Sequence, residues 1–281
     1  MENKSLEQTP LKEIVAAFNS AFADYFVPIS ATEEAMANRW RAGRVDYSLS
    51  FGAFHRDELA GFIITGVDQL NGLKTAYNAG TGVLPAFRGQ KLVAQLYRHA
   101  LPKFREAGIQ QSTLEVICQN HKAIKAYQNV GFGITRTLHC FRGQLKTTNG
   151  TSEDKDFRLE RTSTLNPELL APLQPYDFSW DNRNEGISQI KADLETWCLY
   201  HQKELAAYLI LNPETGYLAQ LGFKPETREQ AAEILFGALE REIPVVRINN
   251  VDSRAPEIAS LLLTAGLENH LDQYEMLLRL N

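Results

Sequence analysis

This chain contains one stretch twice, and whatever fold it adopts has to accommodate both copies. Residues 54–65 read Phe-His-Arg-Asp-Glu-Leu-Ala-Gly-Phe-Ile-Ile-Thr, and residues 200–211 read Tyr-His-Gln-Lys-Glu-Leu-Ala-Ala-Tyr-Leu-Ile-Leu. They align without a gap. His55, Glu58, Leu59, Ala60 and Ile64 recur as His201, Glu204, Leu205, Ala206 and Ile210, and most other pairs exchange like for like. Each copy reads as a strand that turns at a polar pair and returns as a second, apolar strand. The elements after each copy also correspond: a strand, a proline-led turn, a helix, a strand, a helix ended by glycine, and a last strand. One short match could be chance, but its extension through further elements in order argues for duplication. A chain of 281 residues has room for two domains of ordinary size.

In the first half, residues 11–26 place Ile14, Val15, Phe18, Phe22 and Phe26 on one helical face, and Pro28 is expected to stop the helix. Thr32, with Glu33 and Glu34 behind it, predicts the N-cap and acidic first turn of a helix running toward Trp40. Strands are expected at 48–54, 58–65 and 74–83, with Arg56-Asp57 as the first turn. The third holds Gly80 and Gly82, which suggests a bulge, or close approach by a ligand or another backbone. Residues 85–90 then turn the chain into a helix whose buried face is Leu92, Leu96, Ala100 and Phe104. Pro102 is expected to kink or break that helix and Gly108 to end it.

A strand at 109–117 leads to residues 120–132, Asn-His-Lys-Ala-Ile-Lys-Ala-Tyr-Gln-Asn-Val-Gly-Phe. Asn120 is a good N-cap, Ala123, Ile124, Tyr127 and Val130 share one helical face, and Gly131 suits the helix C-terminus. Residues 134–141 read as one more strand. The order is helix, helix, three strands, helix, strand, helix, strand, which is an α/β pattern on a mixed sheet. Taken alone, residues 120–132 describe a short helix that packs one tyrosine into a core.

The spacing Asn120, Ala123, Tyr127, Gly131-Phe132 resembles the end of the catalytic core of the GNAT N-acetyltransferase superfamily, and the order of elements is that family's order. Arg88-Gly89 resembles the Arg-Gly opening of the family's coenzyme A loop, while Lys91 and Val93 depart from it by standing where small residues are preferred. The resemblance covers nearly all of the chain. It implies two tandem GNAT-like domains, 1–150 and 151–281, each a mixed, mostly antiparallel sheet flanked by helices, with the boundary in the polar stretch 143–155. It implies acetyl-coenzyme A as acyl donor, held by Thr81, Gly82, Val83, Arg88, Gly89, Gln90, Lys91, Leu92, Val93 and Asn120. A backbone amide near Val83 would polarise the thioester carbonyl. The expected reaction is acetyl transfer to a primary amine, with Tyr127 as general acid toward the departing thiolate. A phenol, with an ordinary pKa of about 10, is close to a thiol's and stays protonated at neutral pH. The departures at Lys91 and Val93 keep a second reading open, a non-catalytic acyl-coenzyme A sensor or interaction protein.

The second copy is expected to have lost this chemistry. Counting from the proline, Arg228 stands where Arg88 does and Glu229 replaces Gly89, so a carboxylate would repel the pyrophosphate. Leu262 takes the place of Tyr127, counting back from Gly266 as from Gly131. This half is expected to be a support, a homodimer surface, or a wall of the acceptor pocket. In the first half, Tyr77 and Asn78 lie on the third strand as candidates to face the acceptor, and Glu115 reads as a cross-strand charge.

The rest of the composition works by exclusion. A net charge of -5 argues for neither nucleic acid nor an anionic membrane as partner. Three cysteines without a C-x-x-C pattern suggest a reducing compartment. With no apolar leader at the N-terminus and no run of membrane-spanning length, a cytoplasmic protein is expected. His99, His121 and His139 show no ligand spacing, so no metal is expected.

Overall fold

The computed structural model describes residues 1–26, 30–146, 156–164 and 166–280. Pro28 and most of the 143–155 stretch lie outside them. The elements in order begin β1 (Glu2–Ser5), α1 (Leu11–Phe22), α2 (Glu33–Ala42), β2 (Phe51–His55), β3 (Glu58–Leu70) and β4 (Leu73–Val83). Next come α3 (Leu92–Glu106), β5 (Gln111–Ile117), α4 (His121–Val130), β6 (Gly133–Gln144), β7 (Phe157–Thr162), α5 (Pro167–Leu170) and α6 (Asn184–Gln189). The chain ends with β8 (Glu195–His201), β9 (Glu204–Asn212), β10 (Tyr217–Phe223), α7 (Arg228–Glu242), β11 (Val245–Asp252), α8 (Pro256–Thr264) and β12 (Glu268–Arg279). No described helix is long and apolar enough to cross a membrane.

The chain divides into two compact units, Met1–Thr135 with Tyr274–Asn281, and Arg136–Gln273. In the first, β1 to β5 lie side by side in sequence order, and the end of β12 follows β5. β1 to β4 are antiparallel neighbours, whereas β4 and β5 run parallel. Period-two alternation along β3 divides the apolar residues between two layers. Phe62 and Ile64 pack with Ile14, Phe18, Met36 and Trp40 of α1 and α2. Ile63 packs with Leu92, Leu96, Phe104, Ile124 and Tyr127 of α3 and α4. Met276 and Leu280 belong to this second layer, and Thr113 Oγ1 donates to the Met276 carbonyl at 3.0 Å. These late residues therefore complete the first unit, which a division at residue 150 does not anticipate.

Local chemistry explains most element ends. Thr32 Oγ1 caps α2 by accepting from Ala35 N (3.1 Å), and Asn120 Oδ1 caps α4 by accepting from Ala123 N (3.1 Å). Arg56 and Asp57 both take left-handed backbone (φ 49° and 69°), as a two-residue hairpin turn between right-twisted strands requires. Three expectations change. α1 stops at Phe22 rather than Phe26, leaving Phe26 exposed. α3 runs through Pro102 to Glu106, because the buried Leu96, Ala100 and Phe104 hold its face to the sheet despite the lost amide bond. β1 forms an edge strand on β2 that its short polar sequence does not announce.

The second unit repeats this plan with the neighbours β6, β11, β10, β9, β8 and β7 in that order, the start of β12 lying beside β6. Its α7 and α8 cover one face, through Leu235, Leu239, Ile258 and Leu262. The segment carrying α5 and α6 covers the other, with Leu170, Ile187 and Leu194 against Tyr208 and Ile210. Irregularities recur in register. The β2–β3 pairing slips after Ala53, and β8–β9 slips at the equivalent Leu199. The β3–β4 pairing gains one residue, Ala79, and β9–β10 gains Ala219. Bulges at matching positions in both copies are what duplication of one fold predicts.

Asp252 is the buried charge of the second unit. Its side chain is fully buried between Arg136 Nη1 (2.9 Å) and Arg254 Nη2 (2.6 Å). Burial would raise this carboxyl, but the hydrogen bonds from Arg254 and Arg136 outweigh it and hold it at about 2, below the ordinary 3.8. A depressed carboxyl stabilises the fold above its unfolded pKa and loses that contribution as pH falls through the folded value. About 2 kcal/mol of stability should therefore disappear between about pH 4 and pH 2. In urea unfolding, the wild-type midpoint is expected to fall more steeply across this window than that of Asp252→Asn. Parallel curves would show that Asp252 is not held ionised.

Candidate active site

β4 and β5 pair only at Thr75–Gln111, Ala76–Ser112 and Tyr77–Thr113. Beyond those pairs the two strands have no ladder in common, so residues 78–83 and 114–117 border a cleft. Main-chain groups on those edges are not paired to each other, and a bound extended ligand would pair with them.

At the far end of β4 the chain makes a 3₁₀ turn at Pro85–Phe87 and then the turn Arg88 to Lys91 that starts α3. Gly89 (φ 79°) and Lys91 (φ 58°) both take left-handed backbone. The space where a Cβ of Gly89 would sit is open, so glycine serves the turn's backbone and not its packing. Lys91, at the N-cap position of α3, makes no side-chain cap bond. The first-turn amides of α3 thus have no capping side chain, and together with the helix dipole they suit a phosphate. Gln90 offers its carbonyl to Gln95 Nε2 (3.0 Å).

The remaining expected cofactor residues divide by environment. The Leu92 side chain is buried in the core and Val93 packs against it, so only their amides remain for a ligand. Gly82 is glycine because a Cβ would lie 2.5 Å from Phe62 and 2.8 Å from Ala21, so packing under α1 demands it. Arg88 is engaged within the protein. Its guanidinium donates to both carboxylate oxygens of Asp24 (2.6 and 2.7 Å), to the Ala21 carbonyl (3.1 Å) and to the Val83 carbonyl (3.3 Å). The hydrogen bond from Arg88 lowers the Asp24 carboxyl. The next residue, Tyr25, accepts from Asn120 Nδ2 (3.2 Å). Asp24 and Tyr25 therefore tie the end of α1 to both borders of the cleft, a connection absent from the sequence reading.

Inside the cleft, Tyr127 is buried with Tyr97 and Phe132 in a three-ring cluster, centroids 5.4 to 6.2 Å apart. Asn78 Nδ2 donates to Thr81 Oγ1 (2.7 Å) and the Tyr97 hydroxyl (2.9 Å), and reaches the Tyr127 hydroxyl at 3.5 Å. Burial pushes the Tyr127 hydroxyl up to about 12, against the hydrogen bonds from Thr81 and Asn78 that favour ionisation. A phenol at its ordinary value, expected from the sequence, is not what the cleft contains. Tyr97 is raised by burial as well. Glu115, two residues past the last β4–β5 pair, makes a cross-strand contact of 2.5 Å from the Tyr77 hydroxyl. Among the described residues no group of three or more His, Cys, Asp or Glu side chains is placed to hold a metal ion.

The second unit has the same divergence, since β10 and β11 pair only at Tyr217–Arg247 and Leu218–Ile248. Here the chain fills the gap itself. From the segment before α6, Asn182 Oδ1 accepts from the Tyr217 hydroxyl (2.7 Å), the Asn182 carbonyl accepts from Gln220 Nε2 (2.7 Å), and Asn182 Nδ2 donates to the Asn249 carbonyl (3.3 Å). Ser179 Oγ accepts from Asn250 Nδ2 (3.0 Å). α7 starts directly at Arg228, after the 3₁₀ turn Pro225–Thr227. The copy therefore replaces more than one glycine: the left-handed turn is missing altogether, and Arg228 is a helical residue rather than a counterpart of Arg88. Leu262 does occupy the place of Tyr127, because Leu267 N donates to its carbonyl as Phe132 N does to that of Tyr127.

Residues 14–132 match the model of the acetyltransferase (GNAT) family. No curated protein matches the chain. Solved structures share its fold over the whole length. A tandem GNAT protein from the clavulanic acid biosynthesis pathway superposes with a TM-score of 0.70 at 16% identity, covering 100% of this chain and 98% of its own. A GCN5-related N-acetyltransferase from Sphaerobacter thermophilus gives 0.70 at 13% identity, with 100% and 96% covered. One from Anabaena variabilis gives 0.66 at 15%, with 100% and 73% covered. Residues 14–132 thus carry the sequence pattern of the acetyltransferase (GNAT) family, and the chain as a whole has the fold seen in a tandem GNAT protein.

Proposed function

We propose that the first unit transfers an acetyl group from acetyl-coenzyme A to a primary amine, and that the second unit is a degenerate copy that binds no cofactor. The observation that carries this reading is the divergence of β4 and β5 beyond Tyr77, with an uncapped, left-handed turn at one end and the buried Tyr127 inside. The amides of Gly89 to Val93 would hold the pyrophosphate, and the unpaired length of β4 at Thr81 to Val83 would pair with the pantetheine arm. An amide near Val83 would polarise the thioester carbonyl, where negative charge develops. Asn120 caps α4 and borders the same cleft. Glu115, oriented by Tyr77, would take the surplus proton of the attacking amine, and Tyr127 would give its proton to the departing sulphur. Asn182 and Ser179 occupy in the second unit the gap that acetyl-coenzyme A would need.

Calorimetric titration with acetyl-coenzyme A, followed by a thiol-release assay over a panel of primary amines, tests the whole reading. One site per chain and amine-dependent release are expected. Two sites would overturn the assignment of the second unit, and binding without release would favour an acyl-coenzyme A sensor.

Arg88→Glu is expected to weaken binding of acetyl-coenzyme A by about 10- to 100-fold, the scale of one charge-assisted hydrogen bond. Asp24→Asn frees the guanidinium of its carboxylate and is expected to strengthen binding on the order of several-fold. Unchanged dissociation constants in both would place the phosphates elsewhere. Tyr127→Phe keeps the ring cluster and should keep the thermal midpoint and the affinity for acetyl-coenzyme A. Turnover should fall by roughly 10²- to 10⁴-fold, as for loss of a general acid. Full activity would make Tyr127 a packing residue.

A further inference from the structure

Asn78 has a role that neither the fold nor the family pattern assigns. Its Oδ1 accepts from Gly80 N at 3.0 Å, and this fixes which way the amide faces. Nδ2 therefore points at three hydroxyl oxygens, those of Thr81, Tyr97 and Tyr127. The side chain is buried, so its two N–H bonds are shared among partners of the cleft.

We propose that Asn78 is a positioning residue for acyl transfer, its amide N–H holding the Tyr127 oxygen and stabilising the phenolate left when Tyr127 gives up its proton. The inference rests on the reading of Tyr127 as the acid. As the new C–N bond forms and the C–S bond breaks, sulphur takes the bonding pair and the proton of Tyr127. The phenolate recovers a proton from solvent, to which Glu115 passes the surplus proton it takes from the amine nitrogen. Asn78 gains and loses nothing, and acts only on the oxygen it faces.

Two observations carry this. A phenol raised to about 12 is a weak donor to a thiolate whose thiol has an ordinary pKa of about 8.5, so an N–H donor at the developing phenolate has a task to perform. The second copy supplies an internal comparison. It keeps the bulge, as Ala219, yet has Leu218 at the register position of Asn78 and Leu262 at that of Tyr127, both fully buried in one apolar core. The backbone irregularity therefore forms without an asparagine. The amide is present in the copy that keeps the tyrosine and absent from the copy that lacks it.

The test is a double-mutant cycle on the full chain, with acetyl-coenzyme A as donor and hydroxylamine as the smallest nucleophile. Asn78→Leu should lower kcat by about 10- to 100-fold, leaving KM for acetyl-coenzyme A within about twofold. The double variant with Tyr127→Phe should be no slower than Tyr127→Phe alone, because the hydroxyl through which Asn78 acts is gone. If Asn78→Leu costs the same factor in both backgrounds, or nothing, this inference fails while the acid role of Tyr127 stands. If Tyr127→Phe alone is fully active, the acid role fails and takes this inference with it. A wild type without transfer above the buffer rate overturns both. Should Asn78→Leu melt early, Asn78→Ala replaces it in the cycle, since it removes the N–H donor without adding a charge or a larger side chain.

Discussion

A three-residue ladder decides the character of the first unit. Had β4 and β5 stayed paired beyond Tyr77 and Thr113, their backbone groups would be satisfied and the sheet would be closed. Because they part, half of β4 lies along an open edge while its other edge stays paired with β3 up to Val83. An edge of this kind leaves main-chain groups to be met by something other than a neighbouring strand. The bulge at Ala79, the hydroxyl cluster around Asn78, and the tie from Asp24 and Tyr25 across the borders all lie along this opening.

The second unit meets the same constraint by another route. It inherits the divergence, but Asn182 and Gln220 satisfy the groups that a ligand would otherwise reach, and the apolar Leu218 and Leu262 close the floor. One backbone plan therefore supports an open cleft in one copy and a sealed one in the other. The difference lies in whether the chain has a short segment to spare for the gap.

Much of this was legible in the sequence. The repeat around His55 and His201 marked two copies of one fold, and the matching bulges follow from it. The caps at Thr32 and Asn120, the buried face of α3 and the left-handed glycine at 131 are local signals, and the structure has each of them. What stayed hidden depends on distance along the chain. Nothing near Asp24 announces Arg88, and nothing near Asn182 announces Tyr217, since both contacts join segments that only tertiary folding brings together. Gly82 hides a related contact: nothing near it in sequence announces that Phe62 and Ala21 leave no room for a Cβ there. Pro102 misled, because a well-packed helix face can tolerate one missing amide bond.

The closing strand of the first unit bears on how the molecule is made. Met276 and Leu280 pack in a core otherwise drawn from residues 51–132, and Leu280 N donates to the Gln110 carbonyl at 2.9 Å. During synthesis those residues leave the ribosome after the whole second unit. The first unit, though translated first, then waits with an incomplete core until the second has emerged, which inverts the usual N-terminal-first order. A nascent chain stalled before residue 274 would hold every residue of the cleft and still lack the strand that finishes its core, leaving it dependent on chaperones and open to proteolysis.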